Sequence, residues 1–411
     1  MEPLAINGGT PFRDTVVRPF PARTPYGERE IELVTEALRS QSIFRFSGSL
    51  VPEFEKRFAS LYGVDYALGS TSGTSALHLA MGAINPNPGD EIITGSVTDM
   101  GTIIPILFQN AIPIFADTSL DTYTMDPEDV ERQITSRTRA IIAIHLFGNA
   151  CDMDAIMDIG RRHNIPVVED CSQAHMTTYG GRLLGTIGDI GCFSFQESKH
   201  MTTGDGGMTI TNNPDYFEHM RYFGDKGFNR GAKGDHRMYR FLGINYRITE
   251  LHAAVGLAQL DRVKETVERR GRLGNRLTDG LRNIDGIIPA PVTDGGTHSY
   301  WLYPLRITGT SADIFASALT AEGVSASAGY IGKPIFLCAA PLAEKRTYGD
   351  SHFPFDGSVT DREIEYTEDM CPITQEFLDH LVVLSFNENF IDEDMDEIAG
   401  AIRKVAAGLT P

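Results

Sequence analysis

The chain has 411 residues, of which 41% are hydrophobic and 22% charged, and this composition is typical of a globular protein with more than one core. Its formal net charge of −19 argues against a nucleic acid partner, because the chain and a phosphate backbone would repel each other. No apolar run approaches the roughly 18 residues that a membrane span needs, and the N-terminus lacks the basic and apolar regions of a signal peptide. We therefore expect a cytoplasmic protein that does not bind membranes.

The five cysteines are widely spaced and odd in number, so they do not indicate a disulfide framework. The sequence contains no CxxC pair and no Cys/His spacing typical of metal ligands. We predict reduced thiols and no metal site.

Short apolar runs alternate with helical patterns between about residues 60 and 215. The runs lie at 66–69, 91–93, 112–116, 140–145 and 167–170. Such alternation predicts βα units around a mostly parallel sheet, and runs that are nearly continuous in Val, Ile and Ala are typical of strands covered on both faces. The predicted fold class is therefore α/β, with a large domain whose sheet is flanked by helices.

The pattern changes after residue 248. Residues 248–281 are helical and charged, which predicts one long connecting helix. Alternation returns at 300–307, and a helical pattern at 312–322 predicts a smaller α+β domain that runs to the C-terminus. We divide the chain into an N-terminal arm (1–25), a large domain (26–265), and the connecting helix with the small C-terminal domain (266–411).

Residues 69–75 are rich in Gly, Ser and Thr and lie between a predicted strand and a predicted helix. The backbone N–H groups of Gly73, Thr74 and Ser75 would then point from a helix N-terminus towards an anion such as a phosphate. The alternative is that these residues only cap the helix. Taken alone, such a stretch is more often only a helix cap. Its position at the carboxyl end of a strand adds weight to a ligand, because ligands of open α/β sheets bind there.

Asp170 ends an apolar strand and therefore needs a partner at the strand's mouth. The carboxylate can pair with an arginine, cap a helix, bind a metal with His175, or hold the protonated nitrogen of a heteroaromatic cofactor. The sequence pattern alone leaves these alternatives open.

Lys199 lies between a strand and a glycine-rich turn at residues 202–207. On that strand Ser194 alternates with Phe193 and Phe195, so its hydroxyl points away from both rings, either towards a phosphate or into a buried backbone contact. A phosphate-binding helix N-terminus, a strand-end aspartate and a strand-end lysine are together the parts that pyridoxal phosphate requires.

These motifs resemble the DegT/StrS family of sugar and cyclitol aminotransferases, a fold-type I group that uses pyridoxal phosphate. The segments that carry the resemblance are 72–77, 169–175, 188–195, Lys199 with 203–207, and 243–251. The resemblance implies a homodimer with active sites shared between subunits. It also implies transfer of an amino group from glutamate or glutamine to a keto sugar or keto-cyclitol.

The resemblance further implies a role for each matching residue. Lys199 would bind the cofactor covalently and move a proton, while Asp170 would pair with the pyridine nitrogen. Gln173 would lie near the ring hydroxyl. The residues that would hold the phosphate are Gly73, Thr74, Ser75 and Ser194, joined by Asn245 of the neighbouring subunit.

One position departs from the family pattern. Relatives often place an aromatic residue on the cofactor ring after a Pro-x-x-Thr segment, whereas this chain has Asp99 there. Either Met100 or His145 covers the ring, or Asp99 reaches the substrate or its amine.

A basic loop between Asp225 and Arg240 is a candidate site for a nucleotide diphosphate or a donor carboxylate. A solvated loop without a ligand is the alternative. Weaker candidates for substrate contact are found near the small domain, where packing roles are equally compatible with the sequence. The basic residues of the loop are Lys226, Arg230, Lys233, Arg237 and Arg240, and the weaker candidates are His298, Tyr300, Tyr330 and Lys333.

Two other functions compete with amino transfer. Sugar dehydratases that resemble this chain carry histidine in place of the lysine, so Lys199 favours transfer, although His200 is adjacent. A non-catalytic paralogue that binds a sugar and regulates a partner would not require a lysine that binds a cofactor. The N-terminal segment 5–11 resembles cyclitol-type relatives, whereas the basic loop favours a nucleotide-linked sugar.

Overall fold

The computed structural model describes residues 3–230 and 238–409. Its larger part is built on a seven-stranded sheet and a two-stranded ribbon. The nine strands of this part are β1 (Tyr66–Ser70), β2 (Glu91–Gly95), β3 (Ile112–Ala116), β4 (Thr138–Ile144), β5 (Val167–Asp170), β6 (Thr178–Tyr179), β7 (Arg182–Leu183), β8 (Ile190–Ser194) and β9 (Gly207–Thr211). The ribbon consists of β6 and β7, and the strand order in the sheet is β1-β9-β8-β5-β4-β2-β3.

The five strands from β8 to β3 in this sheet are parallel, and β9 is antiparallel to both of its neighbours. The helices that accompany them are α1 (Glu28–Arg39), α2 (Leu50–Tyr62), α3 (Gly73–Ile84), α4 (Met100–Phe108), α5 (Pro127–Gln133), α6 (Met153–His163), α7 (Pro214–Phe223) and α8 (Glu250–Leu260). The prediction of an α/β fold with a mostly parallel sheet is confirmed. The five predicted apolar runs lie in β1 to β5.

Both faces of the large sheet are covered, as the apolar runs indicated. Along β4, Ile141 and Ala143 belong to one hydrophobic cluster, whereas Ala140, Ile142 and Ile144 belong to another. Because successive side chains of a strand point to opposite faces, the two clusters lie on opposite sides of the sheet. The parallel strands are therefore held rigidly, which fixes the residues at their carboxyl ends.

The predicted connecting helix is divided in two. Helix α8 ends at Leu260, and α9 (Val263–Leu281) begins after two intervening residues. Between them Arg262 leaves helical geometry, with φ −123° and ψ −1°, and its guanidinium binds the Pro25 carbonyl and the Glu30 carboxylate. The charged periodicity continues through this break, so the sequence pattern did not reveal it.

The C-terminal part contains a four-stranded antiparallel sheet in the order β10-β11-β13-β12. Its elements are β10 (Ile287–Ile288), β11 (Tyr303–Ile307), β12 (Ala326–Ala328), β13 (Leu381–Leu384), α10 (Ala312–Ala321), α11 (Ile335–Cys338), α12 (Ala340–Ala343), α13 (Pro372–His380) and α14 (Asp392–Leu409). Helices α9, α10 and α14 pack with this sheet around a separate core. The core lies where the sequence predicted a smaller α+β unit.

The N-terminal arm packs against the small domain. Leu4 is buried in that domain's core, and Arg13 forms ion pairs with Asp394 at 2.8 Å and Glu397 at 2.6 Å. Short 3₁₀ helices lie at Ala5–Asn7, Leu146–Gly148 and Glu368–Met370. Within the described residues, no helix combines the length and apolar character that crossing a bilayer requires.

Candidate active site

A cavity of about 380 Å³ opens at the carboxyl ends of the parallel strands, where ligands of α/β sheets bind. Residues from the βα loops of the large domain and from the small domain surround it. The described residues that line it are Ser72, Gly73, Thr74, Leu77, Thr98, Asp99, Gly101, Thr102, Ile144, His145, Asp170, Ser172, Gln173, Ser194, Gln196, Ser198, Lys199, Asp205, Trp301 and Tyr330.

Helix α3 presents its N-terminus to this cavity. Its first residue, Gly73, is so close to Ser194 that a Cβ at position 73 would lie 2.7 Å from the Ser194 Cβ and 2.9 Å from its Oγ. Only glycine fits there, and the result is a pocket formed by the helix N-terminus, the Thr74 backbone and the Ser194 hydroxyl. Such a pocket suits a phosphate, since helix N–H groups and the helix dipole both favour an anion.

Ser75 has a different environment. Its hydroxyl donates to the Ser72 carbonyl at 2.8 Å and accepts from the Ser72 N–H at 2.7 Å, while its own N–H donates to the Ser72 hydroxyl at 3.0 Å. This reciprocal capping box buries the Ser75 side chain, which does not line the cavity. The capping alternative therefore applies to this hydroxyl, and phosphate binding by Ser75 stays a prediction.

Asp170 is buried at the end of β5. One carboxylate oxygen accepts from the Thr102 hydroxyl at 2.9 Å and the other accepts from the Ser172 N–H at 3.1 Å. His175 does not join it, because the His175 ring bonds the Ser194 carbonyl at 2.9 Å. Asp170 has no ion pair with an arginine in the part of the chain that the structure describes. These contacts leave a carboxylate directed at the cavity and suited to a cationic ring nitrogen.

Lys199 lies across the same cavity. Burial lowers the pKa of its ammonium group to about 8, and the negative charges of Asp170 and then Asp99 oppose this fall. Its Nζ is 3.6 Å from the centre of the Trp301 ring. The lowered pKa increases the share of Lys199 that is a free amine near neutral pH, which is the form that attacks a carbonyl.

Gln173 lies between the two domains. Its side-chain oxygen accepts from the Phe147 N–H at 2.7 Å, and its amide nitrogen donates to the Tyr330 hydroxyl at 3.3 Å. Of the weaker candidates, Tyr330 thus reaches the cavity. His298 stacks on buried Tyr300 with ring centres 3.9 Å apart, which is a packing role, and Lys333 is exposed outside the cavity.

Asp99 lies at the rim of the cavity as the N-cap of α4. One of its oxygens accepts from the Gly101 N–H at 2.7 Å, and the side chain is exposed. Of the two residues considered as ring covers, His145 lines the cavity, whereas Met100 packs against the core of the large domain.

His145 also belongs to a buried group of potential metal ligands with Glu169 and Cys171. Its Nε2 lies 3.1 Å from Glu169, and its Nδ1 accepts the Cys151 N–H at 3.1 Å. Both oxygens of Glu169 already accept backbone N–H groups, which come from Gly185, Ile187 and Gly188. These bonds orient the imidazole at the cavity floor.

Asn245 is exposed and does not line the cavity of its own chain. In the basic loop, Arg230 and Lys226 pair with buried Asp225, which also binds Arg247. Arg240 lies over the Tyr222 ring. Lys233 and Arg237, together with Asp235, are outside the described residues.

Sequence reasoning missed Trp301 and Thr102 as parts of the site. Trp301 is the only tryptophan of the chain, and its place in an alternating pattern indicated a strand rather than a ligand contact. The one feature of the sequence that could have indicated a role for Trp301 is that it is the single tryptophan and lies beside a predicted strand. Nothing in the spacing indicated that Thr102 would bond Asp170.

Comparisons with known proteins identify the family of the chain. The model of the DegT/DnrJ/EryC1/StrS aminotransferase family matches residues 25–403. The chain belongs to this family. It is 33% identical over 426 aligned positions to the L-glutamine:2-deoxy-scyllo-inosose aminotransferase of Streptomyces fradiae, with 98% of each chain covered. The predicted family and the prediction of an aminotransferase are thereby confirmed.

Two further relatives extend the comparison. The chain is 37% identical over 295 residues to the GDP-perosamine synthase of Caulobacter vibrioides, covering 70% of this chain and 76% of that protein. The crystal structure of 3-amino-5-hydroxybenzoic acid synthase superposes with a TM-score of 0.82 at 26% identity, covering 94% of this chain and 98% of the other. The names of these relatives thus refer to different compounds.

A first prediction concerns Asp99, whose charge opposes the fall of the Lys199 pKa. In the Asp99→Asn variant the pKa of Lys199 should be lower, because a nearby negative charge no longer stabilises the ammonium form. The variant should fold normally, since Asn caps a helix as well as Asp does. The measurement is the pH dependence of the rate at which Lys199 reacts with an aldehyde, which rises through the amine's pKa.

The matched control is Asp126→Asn, which replaces the N-cap of α5 outside the cavity. Its profile should coincide with that of the unaltered protein. A profile for Asp99→Asn that moves to higher pH, or not at all, would contradict the proposed electrostatic contact.

Proposed function

We propose that this protein is a pyridoxal-phosphate-dependent aminotransferase that moves an amino group from glutamate or glutamine to a ketone of a sugar or cyclitol. The observation that carries the proposal is the convergence of Lys199, Asp170 and the pocket closed by Gly73 and Ser194 on one cavity. An amine, an acidic partner for a ring nitrogen and an anion pocket are the three contacts that this cofactor needs.

The residues of the site fit the cofactor in separate ways. Gly73, Thr74 and Ser194 would hold its phosphate, Asp170 its ring nitrogen, and Lys199 would bind it covalently. When bound, the cofactor supplies an electron sink for the pair released from a C–H bond. Gln173 would lie near the ring hydroxyl.

The side chains of the chain then perform the proton chemistry. Asp170 is fixed by Thr102 and Ser172, so its charge stays directed at the cavity without rearrangement during the reaction. With the cofactor bound, the Lys199 amine would be the base that takes up the proton of the C–H bond and gives it back. Its lowered pKa suits this role because both protonation states are populated near neutral pH.

The charges of the residues that line the cavity indicate which class of keto compound accepts the amino group. Among the described lining residues Lys199 is the only lysine or arginine, whereas Asp99, Asp170 and Asp205 carry carboxylates. This balance favours a ring without a phosphate, such as a free keto-cyclitol, over a nucleotide-linked sugar. The relative named for 2-deoxy-scyllo-inosose supports the same class, and its name supports glutamine as the donor.

The decisive experiment follows the absorbance band of the lysine-bound cofactor. Borohydride should fix the cofactor onto Lys199, and L-glutamine or L-glutamate should bleach the band and yield pyridoxamine phosphate. Keto-cyclitols and nucleotide-linked keto sugars are then tested for restoring the band. Loss of water from a sugar without consumption of a donor would support the dehydratase instead, and failure to take up the cofactor would support the non-catalytic paralogue.

The same proposal includes a homodimer in which Asn245 completes the site of the neighbouring subunit. Apolar side chains near Asn245 are exposed, with Leu242 at 94% and Tyr239 at 52% of their full exposure. Phe44 and Phe46 are also exposed beside the same loop, where Arg230 covers the Phe46 ring. An exposed apolar patch of this kind is typical of an interface.

The proposal also includes a cytoplasmic location. All five cysteines are free thiols, and thiols stay reduced in the cytoplasm.

Mixing two inactive variants tests the shared site. Lys199→Ala and Asn245→Ala chains should each be strongly impaired, but a mixed dimer has one site with both native residues. Random exchange of subunits should therefore restore about a quarter of the normal activity. Each variant mixed with itself is the control, and a mixture no more active than its components would contradict the shared site.

A further inference from the structure

Arg23, in the N-terminal arm, contacts the loop that carries Lys199. Its guanidinium donates to the carbonyl of Glu197 at 2.5 Å and to the carbonyl of His200 at 3.1 Å. These two carbonyls lie on either side of Lys199 in the chain. One planar side chain thus fixes the backbone before and after the reactive lysine.

The same guanidinium is joined to the small domain through Glu388. Arg23 Nε is 3.0 Å from one carboxylate oxygen of Glu388, and Arg270 binds the other oxygen through Nη2 at 2.7 Å. Arg270 is only 1% exposed and also donates to the carbonyls of Tyr300 at 3.2 Å and Trp301 at 3.1 Å. Burial favours a higher pKa for Glu388, but the charges of Arg270 and Arg23, with hydrogen bonds, outweigh it and hold the pKa of the carboxylate below its usual value.

Trp301 contacts both the loop that carries Lys199 and the Lys199 amine. Its indole N–H donates to the Ser198 carbonyl at 2.9 Å, and its ring lies 3.6 Å from the Lys199 Nζ. We call Arg23, Glu388, Arg270 and Trp301 the arm clamp. At one end of the clamp Arg23 binds the backbone on both sides of Lys199, and at the other end the Trp301 ring contacts the Lys199 amine. Glu388 and Arg270 connect these two ends.

We propose that Arg23 and Glu388 are positioning residues that hold the Lys199 amine in place through the arm clamp. Lys199 is on a loop with exposed neighbours, so the strand before it does not fix its amine. The clamp binds the backbone carbonyls of Glu197, Ser198 and His200 and places the Trp301 ring against the amine. A displacement of about 1 Å in a reacting group can lower a rate by about 10²-fold. The proposal rests on the proposed function, since it takes Lys199 as the reacting amine.

Arg23→Gln tests the clamp, with Arg18→Gln as the matched control. Arg18 is in the same arm, but its side chain is 56% exposed and pairs with Glu397 on α14. Three readouts are compared: the pH titration of the lysine-bound cofactor band, the rate of bleaching by glutamine, and Trp301 fluorescence of cofactor-free protein. Trp301 emission is specific because the chain has no other tryptophan.

We expect Arg23→Gln to shift the titration midpoint, change Trp301 emission, and slow bleaching by about 10- to 100-fold with little change in KM. Arg23→Lys should recover only part of the rate, because one ammonium group replaces a fork that contacts two carbonyls. Arg18→Gln should match the unaltered protein in all three readouts.

Glu388→Gln is a second test of the clamp in case the Arg23 variant does not fold. It should change the three readouts in the same direction as Arg23→Gln. If either variant folds and matches Arg18→Gln in titration, bleaching and emission, the clamp proposal is wrong. An unaltered protein without a lysine-bound cofactor would instead contradict the proposed function. In that case the emission of cofactor-free Arg23→Gln still tests the clamp, and emission equal to that of Arg18→Gln overturns it.

Discussion

Replacing Lys199 with alanine should lower the rate of amino transfer by about 10⁴-fold or more, because one side chain is proposed to perform two tasks. The variant loses the covalent bond to the cofactor and the base that moves the proton. Burial lowers the pKa of Lys199 to about 8, which favours the free amine that both proposed tasks need. Formation of the aminated product from glutamine and a keto-cyclitol measures the loss, because the variant has no lysine-bound band to bleach.

Lys56→Ala is the matched control for this variant. Lys56 is exposed on α2 and lies outside the cavity, so its removal should leave both the absorbance band and the rate unchanged. Borohydride should fix cofactor onto Lys56→Ala and not onto Lys199→Ala. A Lys199→Ala variant that retains turnover would remove the basis of the proposed function.

The fold and the strand-end residues were accessible to sequence reasoning for a physical reason. Strands covered on both faces are mostly apolar, so β3 and β4 appear as nearly continuous apolar runs. A polar residue at the end of such a run, as at Asp170, then marks the edge of the sheet. Local patterns of this kind predict where a strand lies in the chain and which residue lies at its end.

Contacts between distant segments are not encoded in local patterns. Arg23, Trp301 and Glu388 are separated by long stretches of chain, and only the packing of the arm and small domain brings them to Lys199. Local patterns do not identify Asn245 as a site residue either, because Asn245 lies outside the cavity of its own chain. Sequence reasoning reached it only through the resemblance to a dimeric family.

Ser75 shows where two local readings of one motif compete. A serine at the start of a helix can face an anion or complete a cap, and the two predict the same sequence pattern. The reciprocal bonds with Ser72 show that its hydroxyl completes the cap. The neighbouring Gly73 was easier to place, because its contact with Ser194 tolerates no side chain.

The second large effect is expected from Asp170→Asn. The variant keeps nearly the same shape but removes the negative charge that would keep the cofactor's ring nitrogen protonated. Removing one preorganised electrostatic contact of this kind lowers kcat by about 10²- to 10³-fold. The lysine-bound band should persist because Lys199 is intact, so the loss should appear in the rate of bleaching by glutamine rather than in cofactor uptake.

Asp126→Asn supplies the control, since it makes the same chemical change at a helix N-cap outside the cavity. Its bleaching rate should equal that of the unaltered protein. The pair separates two functions of a buried carboxylate, because an Asp170 that only anchors Thr102 and Ser172 would lose stability without a selective loss of rate. Normal bleaching by a folded, cofactor-loaded Asp170→Asn protein would therefore assign Asp170 to structure and leave the ring nitrogen without its proposed partner.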